Sequence, residues 1–303
     1  MQLQTSKARR KSSYFTYSFS GIGTQWEIEL WNIQKGQADK LLRMIQDRVA
    51  DFEAAYSRFR DDSLVGRMSR SVGIYKLSGD AKDMLDMYQR LYKISHGKVT
   101  PLIGRALSDA GYDAKYSLIP KKIHHPPQWE ECLHYDFPDL KVIKPVLLDF
   151  GGLGKGALVD IVSSLLKQNG AEEYVVNAGG DIFCKGHKPV KIGLRHPSDD
   201  RLAIGVARIS HGALCGSAGT YRRWDRFTHI IDPHDLDSPN RFKAVWVHAS
   251  TTLVADALTT ALYFVDPNEL HKHFDFEYAI IHTDDSIEYS AGFPADFFNG
   301  SNE

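Results

Sequence analysis

The sequence has little net charge, few cysteines and no long apolar run, and each shortage removes a class of function. Lys plus Arg (37) and Asp plus Glu (38) nearly cancel over 303 residues. No global positive field is available to hold nucleic acid or an anionic membrane surface, so a polyanionic ligand has to be gripped locally. The cysteines Cys132, Cys184 and Cys215 are far apart and lack Cys-x-x-Cys spacing. Neither a disulfide framework nor a zinc site follows, and the three read as ordinary small residues. Nowhere is there the run of about 18 apolar residues that a membrane-spanning helix needs. Lys7, Arg9, Arg10 and Lys11 look like the start of an export signal, but residues 12–20 form no apolar stretch and no lipoprotein cysteine follows. These features predict a soluble cytoplasmic protein with a disordered basic tail at residues 1–13.

What is present is a 43% hydrophobic content, enough for a sizeable core in one domain or two. Trp26, Ile28 and Leu30 alternate with Gln25, Glu27 and Glu29, which predicts an opening strand after the turn at residues 21–24. Apolar residues at helical spacing predict helices over 37–59 and 78–91, with a polar loop over 57–63 between them. Residues 112–145 carry most of the prolines and read as short strands and loops. A strand over 146–150 then runs into Gly151-Gly152-Leu153-Gly154-Lys155-Gly156, followed by a helix to Gln168 that Gly170 stops. Further strands are predicted over 173–177, 192–195, 203–208, 228–233 and 244–249, with a last helix over 251–264.

Four constellations can carry chemistry. In the glycine loop after Asp149, backbone N–H groups can approach a phosphate beside a helix N-terminus. It is neither a Walker A loop, since Gly156 replaces the Ser or Thr after Lys155, nor a well-placed dinucleotide fingerprint, since its acidic partner lies before the next strand. Asp256 and Thr260 lie four apart on one helix face and offer two hard oxygen ligands of the kind Mg²⁺ takes, with water and phosphate completing the shell. Asn177-Ala178-Gly179-Gly180-Asp181 delivers an amide and a carboxylate around two glycines, suited to a base or ribose. His229 and Asp232 close a strand end with a titratable pair. His124, His125, His271 and His273 lack partners at ligand spacing and read as surface residues.

Taken in order, these segments resemble the ApbE family of FAD:protein FMN transferases. Gly23-Thr24-x-Trp26 looks like the family's opening strand, and Ser57-Arg58-Phe59-Arg60-x-x-Ser63 like its first loop. Asp149-x-Gly151-Gly152-x-Gly154-Lys155-Gly156 with Asp160 matches its central motif. Asn177-x-Gly179-Gly180-Asp181, His229-Ile230-Ile231-Asp232-Pro233 and Ala255-Asp256-Ala257-Leu258-x-Thr260 complete the series.

The resemblance implies an α+β fold of mixed sheets and packed helices, a single domain over residues 14–292 with an FAD cleft between its halves and a tail at 293–303. It implies FAD contacts from Gly23, Thr24, Ser57, Asp149, Gly151, Gly152, Lys155, Asn177, Gly179, Gly180, Asp181, His229 and Asp232. Mg²⁺ falls to Asp256, Thr260 and the Gly154 carbonyl, and His229, Lys155 and Asp256 become the catalytic residues. The implied reaction moves FMN from FAD to a threonine hydroxyl in the flavinylation motif of an acceptor protein, releasing AMP. With water as acceptor the same pocket would be an FAD pyrophosphatase, and without chemistry an FAD-binding protein. The chain departs from the family at Gly154, where alanine is commoner, at Ala218, where serine is usual, and at residues 234–237, which replace the usual Thr-Gly.

Overall fold

A computed structural model of the chain describes residues 13–219 and 223–298. The basic tail of residues 1–12 and the stretch 220–222 lie outside the described residues. The chain opens with a hairpin, β1 (Tyr14–Gly21) and β2 (Thr24–Trp31), and enters α1 (Lys35–Tyr56), α2 (Leu64–Met68), β3 (Gly73–Lys76) and α3 (Gly79–Ile94). A 3₁₀ turn (Pro101–Ile103), α4 (Gly104–Asp109), α5 (Trp129–Cys132), β4 (Leu133–Asp136) and β5 (Asp139–Val142) lead to α6 (Gly154–Gln168). Then come β6 (Glu173–Ala178), the long β7 (Asp181–His196) and β8 (Asp199–Ala218), and the short β9 (Arg223–Trp224) and β10 (Phe227–Thr228). The chain ends with β11 (Phe242–Ala249), α7 (Thr252–Ala261), α8 (Pro267–His271), β12 (Glu277–His282), β13 (Ile287–Tyr289) and β14 (Ala295–Phe297).

The described residues form a nine-stranded sheet in the order β1-β2-β6-β7-β8-β11-β12-β13, with β14 on β8, and every pairing in it is antiparallel. A smaller sheet, β3-β5-β4, lies apart. Helices cover one face of the large sheet: Trp26, Ile28 and Leu30 pack with Leu41, Ile45 and Val49 of α1 and with Leu158 and Val162 of α6. The other face has its own cluster around Leu194, Ile209, Trp246 and Ile281. All three cysteines are buried and free. Among the described residues no helix is long and apolar enough to cross a membrane.

Four expectations need correction. The fold opens one strand earlier than predicted, because Phe15, Tyr17 and Phe19 alternate with Ser and Thr and lie against the core as β1. Residues 146–150 are not a strand; Val146 N–H bonds the Met68 carbonyl (3.1 Å) and Asp149 N–H the Pro101 carbonyl (2.7 Å), so loops take the ladder's place. Of the segment 228–233 only Thr228 lies in a strand, the last residue of β10, since its hydroxyl captures Ile230 N–H (3.1 Å) and breaks the ladder. Residues 293–298 are not a tail: Phe293 is buried and β14 adds to β8.

Two glycines show why the site can form. A Cβ on Gly156 would stand 2.3 Å from the Thr252 carbonyl, so α6 and α7 touch only because it is absent. A Cβ on Gly179 would meet Thr24 Oγ1 at 1.9 Å, and its φ of +64° lies in the left-handed region. Asp160 fixes α7 from α6, accepting Thr252 N–H (2.9 Å) and Leu253 N–H (2.8 Å) at the helix start. Losing this half-buried carboxylate in Asp160→Ala is expected to cost about 2 kcal/mol of stability. Denaturant unfolding measures it, and a loss near zero would show that α7 needs no cap from α6.

Candidate active site

A cleft of about 870 Å³ runs between the helical layer and the sheet, toward the upper end of the size range for small-molecule sites. Ten of the residues expected at the site line it: Gly23, Asp149, Gly151, Gly152, Lys155, Gly179, Asp181, His229, Asp256 and Thr260. They come from five separate stretches of chain. The β6–β7 turn supplies Gly179 and Asp181, α6 supplies Lys155, and α7 supplies Asp256 and Thr260.

At the cleft base Lys155 Nζ bonds Asp181 and stands 3.4 Å from Asp256 Oδ1. Asp256 Oδ2 also accepts Gly156 N–H at 2.9 Å. Both carboxylates are almost fully buried. Burial alone would lower the Lys155 pKa, but the charges of Asp181 and Asp256 outweigh it and the ammonium holds its proton well above the usual range. The Asp181 carboxyl is pushed up to about 6 by burial and by Asp256, against the pull of Lys155. Two carboxylates share one cation, and the centre is short of positive charge.

The glycine loop does something other than expected. Gly151 N–H bonds Asp149 Oδ1 (2.6 Å), Leu153 and Gly154 N–H bond the Phe150 carbonyl (3.2 and 2.6 Å), and Gly156 N–H bonds Asp256. These donors organise the loop and aim Asp256, and are not presented as a phosphate cradle. The other oxygen of Asp149 bonds Arg58 Nε, so this carboxylate also braces the loop. Gly154 does not line the cleft; the carbonyl facing Thr260 Oγ1, at 3.4 Å, is that of Gly152.

Five more expected residues stand outside the lining. Asn177 Oδ1 closes its own turn on Gly180 N–H (2.9 Å), and Thr24 packs against Gly179. Ser57 Oγ accepts Phe59 N–H (3.3 Å) within the first loop. Asp232 binds Lys98 Nζ (2.6 Å) and His234 N–H (2.9 Å). Burial opposes ionisation of Asp232, but these two donors hold its carboxyl below the usual range. The segment 234–237, which departs from the family pattern, still closes the turn, with Leu236 at φ +56° and Asp232 bridged to Asp237.

Sequence reading missed Lys98 and the cleft's aromatic wall. Lys98 lines the cleft just after Gly97, whose φ of +87° ends the α3 region; a helix-terminating glycine followed by a loop was the available signal. The wall is Phe59, Tyr112, Tyr116 and Trp224. Phe59 stacks on Tyr116 with centroids 5.3 Å apart, Tyr112 meets both edge-on, and Trp224 is anchored by Nε1–H to the Ala110 carbonyl (2.7 Å). Arg58 lies over Phe59 and Tyr112, 4.2 and 4.9 Å from their ring centroids. No short-range pattern links these residues.

The fold and cleft define a class: an α+β protein with a lysine-bridged pair of carboxylates at the base of an elongated cleft and an aromatic wall beside it. The chain belongs to the ApbE family, whose profile matches residues 22–280. It is 24% identical over 321 residues to a FAD:protein FMN transferase of Haemophilus influenzae, covering 95% of this chain and 92% of that protein. A second FAD:protein FMN transferase, from Klebsiella pneumoniae, is 23% identical over 280 residues, covering 83% and 78%. The fold is that of the flavin transferase ApbE from Vibrio cholerae, with a TM-score of 0.78 at 22% identity over 93% of this chain and 98% of that one. The ApbE protein of Thermotoga maritima has the same TM-score at 20% identity, over 92% and 97%.

Proposed function

We propose that this chain is a Mg²⁺-dependent FAD:protein FMN transferase that attaches FMN to a threonine hydroxyl of an acceptor flavoprotein. The observation carrying the reading is the lysine-bridged carboxylate pair at the base of a cleft with an aromatic wall. Such a wall suits a flat heteroaromatic ring, and the anionic base, once joined by a divalent cation, suits the diphosphate of the same ligand. FAD presents both groups. The cytoplasmic location expected from the sequence is part of the same proposal.

The residues suit Mg²⁺. Among the described residues no three His, Cys, Asp or Glu side chains form a metal cage, so a cation here draws on Asp256, the Thr260 hydroxyl and a loop carbonyl. That donor set, completed by water and phosphate oxygens, is one Mg²⁺ accepts. The raised Asp181 pKa shows unmet demand for positive charge. When bound, the metal would neutralise charge on the diphosphate.

The chain's own groups do the rest. Lys155 keeps its proton and offers it to a diphosphate oxygen, and Asp256 holds Lys155 and the start of α6 in place. The acceptor oxygen bonds to the FMN-side phosphorus as the bond to the AMP phosphate oxygen breaks, and AMP leaves with the electron pair. His229, half-buried in the cleft wall, is placed to take the hydroxyl proton. The test is incubation with FAD and MgCl₂, with and without a threonine-bearing acceptor, followed by chromatography for AMP and fluorescence for protein-bound flavin. AMP without bound flavin would make the enzyme a pyrophosphatase; neither product would leave an FAD-binding protein.

A pH prediction follows from Asp181. Its folded-state pKa of about 6 lies above the unfolded value of about 3.9. Its stabilising contribution is therefore complete below the unfolded value and is lost as pH rises through about 6. Above that pH the cluster carries one uncompensated negative charge. MgCl₂ should accordingly raise the Tm more at pH 7 than at pH 5; equal shifts would separate Asp181 from the cation site.

A further inference from the structure

Residues 111–125 form a strap along one side of the cleft mouth. It closes on itself through Leu118 N–H to the Gly111 carbonyl (2.9 Å) and is fastened to the end of α4 by Lys121 N–H to the Asp109 carbonyl (2.7 Å). His124 Nδ1 bonds the buried Asp109 carboxylate (2.7 Å), and His125 Nδ1 lies 3.1 Å from the Pro233 carbonyl. Asp113 Oδ1 ties the inner turn by accepting N–H groups of Lys115 (2.9 Å) and Ser117 (3.1 Å). The strap is held, and it is held with apolar side chains facing water.

Tyr116 is 52% exposed, Leu118 45% and Ile119 67%. Tyr116 and Leu118 also have left-handed backbone, with φ of +50° and +53°, a conformation that is strained for such residues and collects at functional sites. Both line the cleft as well, so the exposed apolar patch continues into the interior. Lys115, Lys121 and Lys122 are exposed around it. Asp109 is already paired with Arg105 and His124, whereas Asp113, held by Ser117, keeps its charge and offsets one lysine, so the strap is left with a net positive charge.

We propose that this strap docks the segment of the acceptor protein that carries the modified hydroxyl, selecting segments with an apolar residue flanked by carboxylates. The proposal rests on the transferase reading. A chain delivering a hydroxyl to Asp256 and Lys155 has to cross the cleft mouth, and the strap is the part of the rim that joins apolar anchors to a net positive charge. Its charge complements an acidic segment. A surface for membrane or nucleic acid calls for wider positive charge than three lysines on a chain of net charge −1 supply.

The experiment uses the full chain with FAD, MgCl₂ and two synthetic peptides sharing a central Thr and a neighbouring Leu, one flanked by Asp and Glu, the other by Lys. The protein should label the acidic peptide with a kcat/KM about tenfold or more above the basic one. The triple variant Lys115→Glu, Lys121→Glu, Lys122→Glu should lose that preference while FAD binding, read by flavin fluorescence, stays unchanged. Ile119→Ser should raise the KM for both peptides with little change in kcat. Equal labelling of the two peptides, or a triple variant that keeps the parent preference, overturns the docking proposal and leaves the transferase reading standing. FAD binding with no AMP and no labelled peptide overturns that reading itself. Sedimentation with phosphatidylserine vesicles that the triple variant abolishes, without a change in peptide preference, would assign the strap to a membrane and overturn the proposal.

Discussion

Asp256→Ala is expected to lower AMP release from FAD by about a thousandfold or more and to leave the protein folded. The two halves of that expectation have one cause. Asp256 faces Lys155, Gly156 N–H and the cleft, so its loss removes the carboxylate around which the anionic centre is built. Yet the remaining Lys155 and Asp181 form a balanced pair, and the raised pKa of Asp181, which owes part of its rise to Asp256, relaxes toward the usual carboxylate range. Titrating AMP release against MgCl₂, with a thermal melt alongside, reads both halves. Full metal-dependent turnover in the variant would remove Asp256 from the site.

Lys155→Met should behave in the opposite way, losing stability together with activity. Removing the ammonium leaves the Asp181 and Asp256 carboxylates buried without their shared partner. Breaking a buried pair on one side costs about 3–5 kcal/mol, which for a chain of this size corresponds to a Tm lower by about 10 °C. Because the penalty lies in ionised carboxylates, it should shrink as pH falls below about 6, where Asp181 takes up a proton in the unsubstituted protein. A variant as stable as its parent at pH 8 would mean that the cluster is more open to water than its burial indicates.

What could be read from the sequence was mostly what is local in it. The spacing of Asp256 and Thr260, the glycine run before α6 and the alternation of Trp26, Ile28 and Leu30 each express a short period, and the structure carries all three. The aromatic wall is different in kind: Phe59, Tyr112 and Trp224 meet across loops distant in sequence. Lys98 escaped notice because its partner Asp232 is 134 residues away. The glycine loop was recognised, but not which of its N–H groups are already bonded, since that depends on Asp149 and on Asp256 from another helix. The β1 strand was readable in the pattern of Phe15, Tyr17 and Phe19 and was hidden by its serines.

The contact between α6 and α7 at Gly156 also sets when the site can exist. Lys155 and Asp256 are separated by 101 residues, and β2 pairs with β6 only after a long intervening stretch has been threaded. Such distant pairings are slow steps in folding. A chain leaving the ribosome presents the glycine loop, Lys155 and Asp181 well before α7 follows. Because Asp256 lies in α7, the second carboxylate of the cluster is supplied only when nearly the whole domain has been made, and chemical competence cannot precede that point.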